Sequence, residues 1–247
     1  MRHRKSTYIF IFFLIFFFSK NIAQDVAVEF KNYKIVSQLR QDSNFIQWLI
    51  PYADSMHRSM NKVIGFSVST LINKQPESSL GNFMADCMKA MAEKKFNQKI
   101  DAAFINFGGI RSYISKGDIT IGKVYELMPF DNLIVLQKVK GMVLKSFLDK
   151  TAASGGWPLS GITMRINNRK ATDIWIDKKP LKEDADYIIA NTDYVANGGD
   201  GCIMLKNIPK QNIGYLLRDA LIEYILLFTQ QSKPIEAKMD NRIVYVN

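Results

Sequence analysis

Ala102-Ala-Phe-Ile-Asn106 is a short apolar run that stops at Phe107 and the pair Gly108-Gly109, with Ile110-Arg111 closing the segment. A run this short and this apolar reads as a buried strand, and the glycines after it as a tight turn, a common place for ligand contact. A second glycine turn, Asn197-Gly-Gly-Asp-Gly201, lies downstream, and Pro129-Phe-Asp-Asn132 stands between the two. These three stretches are the candidate ligand surface.

The flanking sequence alternates between helical and extended patterns. Upstream, Asp42–Asn61 carries Phe45, Ile46, Leu49, Ile50, Met56 and Met60 at helical spacing, with Asp42 or Ser43 as cap and a bend expected at Pro51. Lys62–Thr70 reads as a strand. Polar Asn73–Ser79 reads as a loop whose serines cap a helix over Leu80–Lys95. Downstream, Leu133–Val139 reads as a strand and Gly141–Asp149 as the helix after it. Strands are expected at Gly161–Ile166, Asp173–Ile176 and Tyr187–Asn191, a helix over about Ile213 to Phe228, and a closing strand at Arg242–Val246. Such interleaving implies a layered α/β or α+β core.

The N-terminus has a different character. Met1-Arg-His-Arg-Lys5 is basic, and an apolar run from Tyr8 to Phe18 ends in Ser19-Lys-Asn-Ile-Ala-Gln24, the layout of a secretory signal peptide. The run is short of the roughly 20 apolar residues that cross a bilayer, so no stable membrane span is expected. Cleavage near Ala23 or Gln24 gives residues 1–23 as signal and 24–247 as a single domain, exported to the periplasm or the extracellular medium. Losing Arg2, Arg4, Lys5 and Lys20 takes the formal charge from +10 to +6. The remaining basic residues form no run of four, so they read as scattered solvated lysines and imply no nucleic-acid partner.

Two counts limit the chemistry. Only His3 and His57 are present, too few for a binuclear phosphoesterase metal site, and no Asp-x-His or Asn-His-Asp/Glu element occurs. His57, between Met56 and Arg58, reads as a surface residue. Cys87 and Cys202 are the two cysteines; Cys87 sits at helical spacing among small and apolar residues and reads as a packed thiol, and spacing alone leaves a bridge between them open. No cofactor and no metal are expected in this chain.

Five ordered motifs carry a resemblance. They are Glu77-Ser-Ser-Leu-Gly-Asn82 with the helix after it, Asn106-Phe-Gly-Gly-Ile-Arg111, Gly117-Asp-Ile-Thr120, Pro129-Phe-Asp-Asn132 and Tyr194-Val-Ala-Asn-Gly-Gly-Asp-Gly201. From about Ile35 to Val246 the chain resembles the C-terminal, substrate-binding domain of the 5′-nucleotidase family. The resemblance implies a four-layered α/β/β/α domain that binds the nucleoside part of a nucleotide, while a separate N-terminal metallophosphoesterase domain holds the metals and performs hydrolysis.

By that resemblance the two rings that sandwich the base fall on Phe130 and Tyr194, the latter a tyrosine where many relatives have phenylalanine. Asn132, with an amide that donates and accepts in one plane, suits a base edge. Asn106 has two readings, the same role or a turn residue. Asp200 would accept hydrogen bonds from both ribose hydroxyls in the frame of Gly198, Gly199 and Gly201. Arg111 would offer its planar fork to phosphate, with Gly108 and Gly109 allowing close backbone approach. Two departures stand out: Ser79 and Leu80 occupy positions where some members have an arginine, and Phe107 replaces a third glycine, either packing inward or narrowing the pocket.

Three functions follow. The first is a nucleotide- or nucleoside-binding subunit, its ligand a nucleoside 5′-monophosphate or nucleoside, that works with a separately encoded metallophosphoesterase, the only place where divalent metals are expected. The second is a non-catalytic exported nucleoside-binding protein. The third, a hydrolase acting alone, lacks any Ser/His/Asp or Cys/His arrangement.

Overall fold

The computed structural model describes residues 28–34, 36 and 42–246. The chain divides into two units, Met1–Ile46 and Gln47–Asn247, and the second carries the fold. The expected signal segment 1–23 lies outside the described residues. Among the described residues no helix is long and apolar enough to cross a membrane.

In chain order the elements are α1 (Ser43–Met60), β1 (Val63–Ser67), α2 (Ser79–Phe96), β2 (Ala102–Phe104), β3 (Gly117–Thr120), α3 (Ile121–Leu127), β4 (Leu133–Lys140), α4 (Gly141–Ala153), β5 (Leu159–Ser160), β6 (Ile162–Asn167), β7 (Lys170–Ile176), β8 (Lys179–Pro180), β9 (Asp186–Thr192), α5 (Asp193–Ala196), β10 (Lys210–Leu216), α6 (Leu217–Gln230) and β11 (Ile243–Tyr245). They form a mixed α/β domain with a central five-stranded sheet in the order β10-β4-β9-β2-β5, a four-stranded sheet β11-β6-β7-β8, and the pair β1-β3. In the central sheet β9 lies antiparallel to β4 and parallel to β2.

Period-two alternation along the central strands feeds two cores. On one face Ala103, Ile105, Ile134 and Leu136 meet Met84, Met88 and Met91 of α2 and Leu221 and Ile225 of α6. On the other, Phe104 and Ile189 meet Phe147 and Leu148 of α4 and the inward positions Ile162, Met164, Ile174 and Ile176 of the four-stranded sheet. Phe104 and Phe147 cross edge to face at 4.9 Å between ring centroids, the geometry favoured by the ring quadrupoles. Cys87 belongs to the first core and Cys202 to the second, and both are free thiols.

Local signals hold at several ends. Ser78 accepts from the Gly81 amide at the start of α2, as its serine-rich loop implied, and Asn97 closes that helix in the left-handed conformation. One reading needed correction. The segment from Ile213 to Leu216, read as the start of the last helix, is strand, because Lys210–Asn212 pair with β4 and Gly214 at φ +73 permits a shift of register before Leu216. The helix expected over Asp42–Asn61 is α1, Ser43–Met60, with Pro51 inside it. The β3–α3 unit, which begins where Gly117 takes φ +113, carried no expectation of its own.

Candidate functional site

Strand β2 ends at Phe104, and Asn106 leads into a single turn of 3₁₀ helix over Phe107–Gly109. β9 ends at Thr192, whose hydroxyl accepts from Val195 N and so caps the short α5. β4 begins at Leu133, directly after the Phe130 loop. Since β2, β9 and β4 are neighbours in the central sheet, their loops meet at one place. There Asn106, Gly108, Gly109, Arg111, Phe130, Asn132, Tyr194 and Asp200 line an open cleft of about 380 Å³. Eight of the ten candidate residues thus come together; Gly198 and Gly199 stand behind the lining.

Each has a definable contribution. Phe130 and Tyr194 are 43% and 46% exposed, and both present surface to the cleft. Arg111 donates from Nη1 to the Gly108 carbonyl at 3.2 Å, and its Cζ stands 5.9 Å from the Phe130 ring centroid. Most of its fork remains available. The Asn132 side-chain amide makes no hydrogen bond among the described residues, while its backbone carbonyl accepts from Leu217 N at 2.9 Å.

Asn106 lines the cleft and braces Asp200. It is buried, its Nδ2 donates to Asp200 Oδ2 at 2.9 Å, and its Oδ1 is enclosed without a partner. A Cβ at Gly109 would lie 2.7 Å from that oxygen, so glycine is required for the turn to close on the amide. A Cβ at Gly108 would meet nothing within 4 Å, which leaves its backbone open to the cleft. Phe107 is half-buried against the second core, so it packs inward and does not narrow the cleft.

Glycine does steric work in the second turn too. Gly198 has φ +94, and a Cβ at Gly199 would stand 2.5 Å from Tyr194 Cε1, so the ring lies directly on the glycine backbone. Tyr194 donates from its hydroxyl to Asp200 Oδ1 at 3.0 Å, and that hydrogen bond raises the phenol above its ordinary pKa. Beneath the turn, burial and then the Asp200 charge push the Cys202 thiol up to about 11.

Two positioning residues escaped the sequence. Asp193 Oδ1 accepts from Leu133 N at 2.9 Å and Tyr194 N at 3.0 Å, tying the two aromatic loops together. An acid in the first turn of a helix could have signalled this. Arg218, nearly buried at the start of α6, reaches the backbone of the Phe130 loop, and nothing in its sequence neighbourhood foretells it. Conversely, the Glu77…Asn82 motif lies away from the cleft: Asn82 Nδ2 donates to Glu77 Oε1 at 2.7 Å and to the Lys238 carbonyl at 3.0 Å, fastening the C-terminal segment. Among the described residues no group of three or more His, Cys, Asp or Glu side chains is placed to hold a metal.

The family profile described as 5'-nucleotidase, C-terminal domain, matches residues 56–207, and the chain belongs to that family. It is similar to the trifunctional nucleotide phosphoesterase protein YfkN of Bacillus subtilis, 29% identical over 219 residues, which span 80% of this chain and 14% of that protein. It is 28% identical over 218 residues to the 5'-nucleotidase of Vibrio parahaemolyticus, spanning 83% of this chain and 38% of the relative. The crystal structure of a 5'-nucleotidase precursor from Thermus thermophilus superposes with a TM-score of 0.72 at 27% identity, covering 82% of this chain and 43% of that one. The chain therefore spans well under half the length of these relatives.

Proposed function

We propose that this chain is an exported nucleotide- and nucleoside-binding module that acts in extracytoplasmic nucleotide catabolism, presenting its ligand to a separately encoded metallophosphoesterase. The observation that supports it is the placing of two exposed rings, Phe130 and Tyr194, around the same cleft as the Asp200 carboxylate and the Arg111 guanidinium. In this reading the base stacks on the rings, with Asn132 at its edge, and the ribose hydroxyls donate to Asp200. A 5′-phosphate lies toward Arg111 and the open backbone at Gly108. Each group binds or orients; none activates water or takes a proton from a nucleophile. The metal-dependent step belongs to the partner, whose gain is a reactant already held in position.

Calorimetric titration of residues 24–247 with adenosine and AMP, in wild type and in Phe130→Ala and Tyr194→Ala, tests the reading. Saturable binding that either substitution weakens is the expected result, and absence of binding in wild type overturns it. Adding divalent metal separates the roles: AMP hydrolysis is expected only with the partner present. Ligand binding with no hydrolysis in the presence of a co-expressed metallophosphoesterase would favour a non-catalytic nucleoside-binding protein.

A further inference from the structure

Asp200 adopts the left-handed backbone conformation, φ +53, ψ +24, one that aspartate tolerates better than most residues, and its side chain is held on both oxygens. Two neutral donors provide that hold. The Tyr194 hydroxyl donates to Oδ1 at 3.0 Å and accepts from the Asp200 amide at 3.2 Å, closing a small ring of hydrogen bonds around the residue. Asn106 Nδ2 donates to Oδ2 at 2.9 Å from the opposite side. Each carboxylate oxygen has two lone pairs, so each keeps one acceptor site after these bonds are made. Asp200 lines the cleft, so its carboxylate can offer one acceptor site on each oxygen to two adjacent hydroxyl donors.

We infer that the Tyr194 hydroxyl is a positioning residue that sets sugar specificity: it orients Asp200 to accept both donors of a vicinal cis-diol, so that a ribose is preferred over a sugar lacking those hydroxyls. The inference rests on the nucleoside reading of the cleft. It also gives Tyr194 two separable functions. The ring supplies a stacking face, which phenylalanine would supply equally. The hydroxyl supplies the tether, which phenylalanine would not. The ring cannot drift from the tether, because it lies against Gly199, where a Cβ would come within 2.5 Å of it. A phenol is protonated, and therefore a donor, throughout neutral pH, and the Asp200 hydrogen bond shifts this one further in that direction.

The test compares adenosine with 2′,3′-dideoxyadenosine by calorimetry on wild type, Tyr194→Phe, Asp200→Asn and the double variant, with thermal melts to confirm folding. Wild type is expected to prefer adenosine, and Tyr194→Phe to lower the adenosine-to-dideoxyadenosine affinity ratio by about tenfold, the size of one hydrogen bond to a charged group. In the Asp200→Asn background the same change is expected to leave the ratio unaltered. A Tyr194→Phe protein that discriminates as well as wild type, or that loses affinity for both ligands alike, overturns the role of the hydroxyl while leaving the nucleoside reading in place. Wild type that binds neither ligand overturns both.

Discussion

Arg218 Nη2 and Asp131 Oδ1 are joined at 2.6 Å, and Nη1 of the same guanidinium reaches the Met128 and Phe130 carbonyls at 3.4 Å each. The side chain also lies over the Tyr125 ring, 4.3 Å from Cζ to centroid. Helix α6 therefore holds the Phe130 loop from below through a residue that never touches the cleft. Arg218→Leu is expected to weaken adenosine binding by about three- to tenfold, the range for one net hydrogen bond or slightly more. In combination with Phe130→Ala the loss should be less than the sum, because both changes remove the same ring from its place. A calorimetric double-mutant cycle checks this, and full additivity would count against it.

Phe130→Ala alone should reduce adenosine affinity by roughly 5- to 150-fold, corresponding to about 1–3 kcal/mol for a base stacked on an aromatic ring. Phe130→Tyr should keep most of it. The same titration run with ribose 5-phosphate should respond little to either change, since that ligand has no base to stack.

Gly199→Ala should act on a different residue from the one changed. Its new methyl would stand 2.5 Å from Tyr194 Cε1 and 2.6 Å from the Tyr194 carbonyl, so the ring must leave its seat. Nucleoside affinity is expected to fall about as far as in Tyr194→Ala, with a lowered melting temperature. Gly108→Ala, which meets nothing within 4 Å, should leave the melting temperature unchanged.

The thiols give a pH prediction. Cys202 is raised from 9.0 to about 11, first by burial and then by Asp200, and Cys87 is raised well above its ordinary value, by burial first. A thiol whose folded pKa lies above its unfolded one contributes stability that is whole below the unfolded pKa and is lost as pH rises through the folded value. Stability should therefore be flat in this respect up to about pH 8.5 and decline from there through pH 11. Cys202→Ala should remove part of that alkaline loss. At pH 8, iodoacetamide should label neither thiol in the native protein and both after denaturation.

What the sequence revealed followed the range of its signals. The glycine turns and the aromatic and polar residues beside them were legible because each motif is local: Gly109 must be glycine for the turn to close on Asn106, and Gly199 for Tyr194 to lie down. The main helices were legible through their apolar spacing, Met84, Met88 and Met91 recurring on one face of α2. The Ile213–Leu216 segment was not, since its apolar spacing suits a helix and only pairing across to β4 makes it a strand. Arg218 and Asp193 were missed for the same reason. Their partners, Asp131 and Leu133, stand 87 and 60 positions away, and no neighbour in the chain records such a contact. Asn106 lay between: its presence in the cleft could be read, but its hydrogen bond to Asp200, 94 positions away, could not.

The hydrogen bond between Asn106 and Asp200 joins positions 94 apart. Together with the Arg218 anchor under the Phe130 loop, it makes the cleft a seam where distant parts of one chain are stitched. A molecule seated across that seam would behave as a removable staple: it would raise the unfolding midpoint, slow proteolysis in the chain between the stitched points, and be released by the first excursion that separates them. Occupancy and integrity of the fold would then report on each other, and a melting curve would serve as a binding assay.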